Sequence, residues 1–166
     1  AIECHDLPEA GVWMDLAKEN GVPATDLIWH EAAILILNNK LTEARAMLNA
    51  AIPSDPGDIR LWGLLADILL RTKEYPELEN RVYPSMRSAS NKNEHYLMHT
   101  VRGHILKHNG PKDYPAARAS FLRALTLNKH LDTVREELLR LDDAIDVPAF
   151  CEEDAKEVLR RDPEHA

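Results

Sequence analysis

Apolar residues recur along this chain at steps of three and four positions, the spacing that places them on one face of an α-helix. Alternating β-branched residues, which are typical of strands, are nearly absent, and glycine is scarce. The pattern therefore predicts an all-α protein. The two clearest helical runs comprise Leu27, Ile28, Ala32, Leu35 and Ile36, and Leu61, Trp62, Leu65, Ala66 and Leu69.

Stretches rich in Asn, Gly, Pro and Asp separate the apolar runs and act as helix breakers. The segments between them are about 10 to 16 residues long, the usual length of a globular helix. No low-complexity linker divides the series, so the sequence predicts one structural unit. The predicted helices are 7–19, 25–38, 41–52, 58–71, 75–88, 93–108, 114–127, 130–142 and 148–161.

The chain matches itself when it is shifted by 34 residues, which indicates an internal repeat. The third step needs 39 residues, with two of the five extra residues expected at 109–113, and the last step is again 34. Four columns of aligned residues result. They are Leu7, Leu41, Tyr75, Tyr114 and Pro148; Ala10, Ala44, Leu78, Ala117 and Cys151; Met14, Leu48, Val82, Phe121 and Ala155; and Ala17, Ala51, Ser85, Ala124 and Val158.

The helices that precede these columns align as well, and each carries a small residue. Two antiparallel helices whose small residues face each other can approach to about 8 to 10 Å. One such hairpin cannot bury both of its faces, so stacked hairpins must supply the core. The small residues are Ala32, Ala66 and Gly103, which are predicted to face Ala44 and Ala117, while Leu48, Val82 and Phe121 fill the space towards the next hairpin.

These residues and their spacing resemble the tetratricopeptide repeat family. The best unit is Trp62-Gly-Leu-Leu-Ala66 followed by Tyr75, and the clearest second helix starts at Leu41 and runs to Asp55-Pro56. The resemblance covers residues 7–163. It departs from the family at Leu78, where alanine is usual, and in the loosely matching last unit. The repeats are 7–22 (a half repeat), 25–58, 59–92, 93–129 (with an insertion) and 130–163.

The resemblance implies a right-handed superhelix of stacked antiparallel helix hairpins, with a concave groove lined by the first helix of each pair. Helix 7–19 looks like the second half of a hairpin, and a further hairpin or capping helix would be expected after Pro163. We therefore expect the chain to be a fragment of a longer repeat protein.

The first helices also predict which side chains face the groove. The apolar part lies on the first full hairpin, and the basic and mixed part lies on the next two, which would suit a peptide with an apolar anchor and an acidic end. An equal alternative is that Trp29 and Ile36 simply pack on helix 7–19. The predicted groove residues are Trp29, Ala33, Ile36, Arg60, Gly63, Asp67, Arg71, His104, Lys107 and His108.

A variant of this family grips a C-terminal carboxylate with Lys, Asn and Arg side chains of its groove helices. Here the corresponding face carries Trp29, Ala33, Gly63 and Asp67. The clamp is missing, so a chaperone-tail adaptor of that type is disfavoured.

Composition and charge narrow the class of partner. Twenty Lys and Arg against 28 Asp and Glu give a net charge of −8, which disfavours nucleic acid as a partner. No apolar run approaches the roughly 18 to 20 residues that span a bilayer.

Cys4 and Cys151 lie far apart, so no disulfide framework is required. The compartment stays open, with the cytoplasm slightly favoured over a secreted or periplasmic location.

Candidate chemistry is sparse. His95 and His99 share one helical face, as do His104 and His108, but the two pairs point in nearly opposite directions and neither has enough ligands for zinc. Adjacent carboxylates fall at helix starts or on solvated faces. No phosphate-binding loop or nucleophile motif occurs. We expect no cofactor, no metal and no catalytic residue.

The expected function is a non-catalytic scaffold that binds a peptide or partner protein in its groove. One alternative is a structural module that self-associates through open repeat ends. Another is a secretion-type chaperone, although such chaperones have fewer repeats than this chain. An accessory part of an enzyme has the least support.

Overall fold

The structure is a computed structural model that describes residues 12, 15–17, 19–22, 24–89 and 95–145. All regular structure within these ranges is helical, which confirms the all-α prediction. The helices are α1 (Ala24–Leu37), α2 (Leu41–Ala51), α3 (Ile59–Thr72), α4 (Tyr75–Glu77), a π-helical segment (Leu78–Val82), α5 (Tyr83–Ala89), α6 (Tyr96–Asn109), a 3-10 turn (Pro111–Asp113), α7 (Tyr114–Leu127) and α8 (Asp132–Ile145).

The predicted helices between residues 25 and 142 all occur, and their ends differ from the prediction by at most about three residues. The described residues of predicted helix 7–19, at 12, 15–17 and 19, are helical. Predicted helix 148–161 lies outside the described residues. The stretch 109–113, where two of the extra residues are expected, contains Gly110, whose φ is 110°, and the 3-10 turn.

The chain forms two compact units, Ala1–Asn91 and Lys92–Ala166. The sequence predicts one structural unit with a repeat boundary between residues 92 and 93, whereas the chain divides between Asn91 and Lys92, one residue before that boundary.

In the first unit, α1 and α2 form a hairpin, and α3 packs against both of these helices. Residues 75–89 then form one continuous helical run, which packs against α3. Asp58 caps the start of α3, where its side chain accepts a hydrogen bond from the backbone N–H of Arg60. Lys73 ends α3 in a left-handed conformation with φ 60°. From α2, Arg45 donates hydrogen bonds to Glu74 at 2.7 Å and to Glu77 at 2.5 Å, and so ties the two hairpins together.

The π-helical segment begins at Leu78, the position where the other aligned repeats have Ala44 and Ala117. Leu78 is fully buried. A leucine needs more room than an alanine where two helices approach closely, and a π turn is wider than an α turn. We therefore attribute this irregularity to the one repeat whose small residue is replaced by a large one.

In the second unit, α6 packs along α7, and α8 packs against α7. Phe121 lies at the centre of a cluster with Val134 and Leu138. Gly103 of α6 allows this packing, because a Cβ atom there would lie 2.6 Å from Cδ1 and 2.8 Å from Cζ of Phe121.

Two of the four columns predicted from the repeat are buried in both units, whereas Leu41, Tyr75 and Tyr114 of the first column are half-buried. The small first-helix residues Ala32, Ala66 and Gly103 are buried. The facing residues on the second helices are fully buried too: they are Ala44, Leu78 and Ala117 in one column, and Leu48, Val82 and Phe121 in the other. The repeat that is visible in the sequence therefore corresponds to equivalent core positions in successive hairpins.

Candidate functional site

The predicted groove residues divide between the two compact units. Those of the first unit lie on α1 and α3, which pack against each other, and those of the second lie on α6. Most are half-buried or exposed. Ile36 is the exception, because only 4% of it is exposed and its side chain belongs to the core. The first-unit residues are Trp29, Ala33, Ile36, Arg60, Gly63, Asp67 and Arg71, and those of the second unit are His104, Lys107 and His108.

Trp29 and Arg60 form the most specific contact of this set. The guanidinium carbon of Arg60 lies 5.4 Å from the centroid of the Trp29 ring, a cation–π distance. The Trp29 ring also contacts the ring of His30, with 3.4 Å between the centroids. The contact joins α1 to α3, so the first helices of two successive hairpins share one half-buried aromatic surface.

Asp58 fixes the orientation of Arg60. The Arg60 Nη2 atom donates to Oδ2 of Asp58 at 2.7 Å, and Nε donates to both carboxylate oxygens at 2.9 and 3.1 Å. These side-chain hydrogen bonds lower the pKa of Asp58 below its ordinary value, so the carboxylate is charged at neutral pH. Because Asp58 also caps α3, the position of the Arg60 guanidinium is coupled to the start of that helix.

Arg71 is paired as well. Its Nε atom donates to the two carboxylate oxygens of Asp67 at 3.2 and 3.1 Å, one helical turn earlier on α3. From the sequence alone, these arginines are predicted to give the middle of the groove a basic character. In the structure Asp67 and Asp58 balance the two charges locally, so this face offers an aromatic ring flanked by ion pairs and carries little net positive charge.

In the second unit, His104 and Lys107 face different partners. The His104 ring packs edge-on against Phe121, with 5.1 Å between the ring centroids. Lys107 forms an ion pair with Glu137 of α8. His108 is exposed in the last turn of α6. Lys107 therefore links α6 to α8.

The other predicted histidine pair lies at the start of α6. His95 occupies the N-cap position, and its Nδ1 atom accepts a hydrogen bond from the backbone N–H of Leu97 at 3.2 Å. Burial lowers the pKa of His95, and His99 is buried. Within the described ranges, no three His, Cys, Asp or Glu side chains come together as metal ligands would.

Glu137 gives the second unit a pH dependence. Burial favours a higher pKa for this carboxyl, but the hydrogen bond and charge of Lys107, helped by His104 and Arg140, bring its pKa below the ordinary 4.5. A lowered pKa stabilises the folded state above the unfolded-state pKa, and this stabilisation is lost as the pH falls through the folded-state value.

We therefore expect Glu137→Gln to reduce stability at pH 7 and to have progressively less effect below about pH 4.5. Urea unfolding of both proteins across this range measures the difference. The matched control is Glu136→Gln. Glu136 is exposed, and its ion pair with Arg140 is long, at 3.6 Å, and solvated, so the substitution should have a small effect on stability at every pH. A pH-independent loss in Glu137→Gln would contradict the prediction.

Sequence reasoning did not identify Asp58 and Glu137, the carboxylates that hold Arg60 and Lys107. Asp58 had a local signal, since it precedes an apolar helical run and lies two residues before Arg60. Glu137 lies 30 residues from Lys107. Only the packing of α6, α7 and α8 brings these two together.

No family model matches the sequence, and no curated protein is significantly similar to it. Among the described residues, no helix combines the length and apolar character that crossing a membrane requires. The site must therefore be interpreted from its own geometry.

Proposed function

We propose that the protein is a non-catalytic interaction module of the tetratricopeptide type, which binds a peptide or a partner protein in a groove lined by its first helices. In this proposal the hairpins stack into a right-handed superhelix. Two observations support it: the 34-residue repeat in the sequence, and the burial of equivalent repeat positions in successive hairpins.

The contact of Trp29 with Arg60 carries the binding proposal. Tryptophan and arginine are the side chains most enriched at the energetic centres of protein interfaces. Here they come from neighbouring first helices, and Asp58 orients the arginine before any partner arrives. An oriented side chain has less conformational freedom to lose on binding, which favours affinity.

The local ion pairs define the chemistry of the partner. Because Asp58 and Asp67 balance Arg60 and Arg71, and because the whole chain carries a net charge of −8, a strongly acidic peptide gains little long-range attraction. An apolar or aromatic side chain that packs on Trp29 would gain most. The proposed ligand is therefore a peptide with an apolar anchor, whose polar groups contact the rim of the groove.

Selection from a random peptide library against the full chain tests this function, followed by affinity measurements on the selected peptides. We expect Trp29→Ala to weaken their binding by about tenfold or more, equivalent to about 1.4 kcal/mol. Glu79→Ala is the control, since Glu79 is exposed and belongs to the π-helical segment, outside the first helices α1 and α3.

Thermal unfolding of both variants separates lost binding from lost folding. The proposal would be abandoned if no peptide were selected, or if a folded Trp29→Ala protein bound the selected peptides as tightly as Glu79→Ala does.

A further inference from the structure

The dipeptide Asn-Gly occurs twice in the chain, at Asn20-Gly21 and Asn109-Gly110, and the structure describes both sites. Both asparagines are exposed, and both glycines have a positive φ, 77° at Gly21 and 110° at Gly110. Because glycine has no side chain to shield its backbone nitrogen, this nitrogen can approach the side-chain carbonyl carbon of the preceding asparagine closely. The two sites therefore share the residues that spontaneous deamidation requires, and the fold decides how fast each one reacts.

This reaction needs no enzyme, and water is its only co-reactant. The backbone nitrogen of the glycine attacks Cγ of the asparagine, so that an N–Cγ bond forms and the Cγ–Nδ2 bond breaks. The Nδ2 atom leaves as ammonia and takes with it the proton that the glycine nitrogen gives up. The resulting five-membered succinimide is then opened by water at one of its two carbonyl carbons, which yields either aspartate or isoaspartate. No atom is oxidised or reduced in either step.

The fold restrains Asn20 against this attack. Its Nδ2 atom donates a hydrogen bond of 2.7 Å to the carbonyl oxygen of Leu16, one helical turn earlier. This bond directs the side-chain amide back along the helix. It must break before Cγ can turn towards the nitrogen of Gly21.

Asn109 carries no comparable restraint. Within the part of the chain that the structure describes, its side chain makes no hydrogen bond or ion pair. Asn109 is the last residue of α6, and the N–H of Gly110 lies 3.4 Å from the carbonyl oxygen of Lys107. This distance exceeds the ordinary range of about 2.7 to 3.2 Å, so the bond is weak. Both reacting groups are therefore loosely held at this end of α6.

We propose that Asn109 is a site of spontaneous deamidation in the folded protein and that it reacts faster than Asn20. The new carboxylate lies at the C-terminal end of α6, where the helix dipole disfavours a negative charge. Isoaspartate also adds one carbon atom to the backbone between α6 and α7, the two helices that meet at Gly103 and Phe121. This site does not depend on peptide binding, so its failure would leave the test of Trp29 unaffected.

Incubation of the full chain at mildly alkaline pH, followed by peptide mapping with mass spectrometry, tests the proposal. The same incubation in guanidinium chloride gives the rate of each site in the unfolded chain, and so corrects for the different residues that follow the two dipeptides. We expect the ratio of the folded rate to the unfolded rate to be about fivefold higher at Asn109 than at Asn20. This factor corresponds to a net hydrogen-bond free energy of about 1 kcal/mol.

Asn109→Ser is the matched variant, because serine keeps a short polar side chain at the end of α6 and removes the amide that reacts. The deamidation product assigned to residue 109 should disappear in this variant, and the product at Asn20 should remain. Equal ratios of folded to unfolded rate at the two sites would overturn the proposal. So would an Asn109 that reacts only in guanidinium chloride.

Discussion

Replacing Phe121 with alanine is expected to destabilise the second unit by about 3 to 5 kcal/mol, the usual cost of removing a large aromatic side chain from a packed core. Phe121 is fully buried and contacts the α8 residues Val134 and Leu138. Its ring also fills the space beside Gly103 and packs against His104. The loss of this one side chain therefore loosens α6, α7 and α8 together. Urea unfolding followed by circular dichroism measures the effect.

Gly103→Ala provides the internal control for this prediction. In the natural sequence the added Cβ would lie less than 3 Å from the Phe121 ring, and the overpacking should cost about 1 to 3 kcal/mol. This cost opposes the gain of about 1 kcal/mol that alanine brings over glycine inside a helix.

In the Phe121→Ala protein the collision is absent, so Gly103→Ala should become neutral or stabilising. A double-mutant cycle reports this change of sign as a coupling energy. If the two substitutions were additive, the close contact between α6 and α7 would not determine the stability of the unit.

The repeat made much of the core predictable from the sequence. A column such as Leu48, Val82 and Phe121 is recognisable because each hairpin must bury the same face against its neighbours. The change in backbone geometry at the repeat where a large residue replaces the usual small one was not predictable. Residues 75–88 have the pattern of an ordinary helix, and the π turn at Leu78 arises from the packing of this run against α3.

The candidate site was less predictable, because its charge and its aromatic surface depend on which side chains contact each other. The i, i+4 spacing of Asp67 and Arg71 already allows their ion pair, yet the spacing alone does not decide whether the arginine pairs within the helix or stays available to a ligand. The contact between Trp29 and Arg60 joins residues 31 positions apart and requires the packing of α1 on α3. An isoleucine at position 36 would suit a partner-binding groove and a core equally well, so only its burial in the structure assigns Ile36 to the core.

One ion pair of the second unit also contributes to the packing of α7 and α8. Arg118 Nε lies 2.7 Å from Oδ1 of Asp142, and the two side chains are only 11% and 14% exposed. Removing one member of a buried pair costs more than removing one of a solvated pair, because the remaining charge stays desolvated. Arg140, which is exposed and pairs with the exposed Glu136 as well as with Glu137, offers the comparison.

Asp142→Ala is accordingly expected to destabilise the protein by about 3 kcal/mol or more, since the Arg118 guanidinium loses its carboxylate on α8 and remains mostly buried. Arg140→Ala should cost less than about 1 kcal/mol in the same urea titration. The double variant Arg118→Met and Asp142→Leu, which removes both charges and keeps apolar volume, should recover most of the loss because the arginine is removed together with its carboxylate. An Asp142→Ala protein as stable as Arg140→Ala would contradict the prediction. An unstable double variant would instead show that the ion pair itself holds α7 against α8.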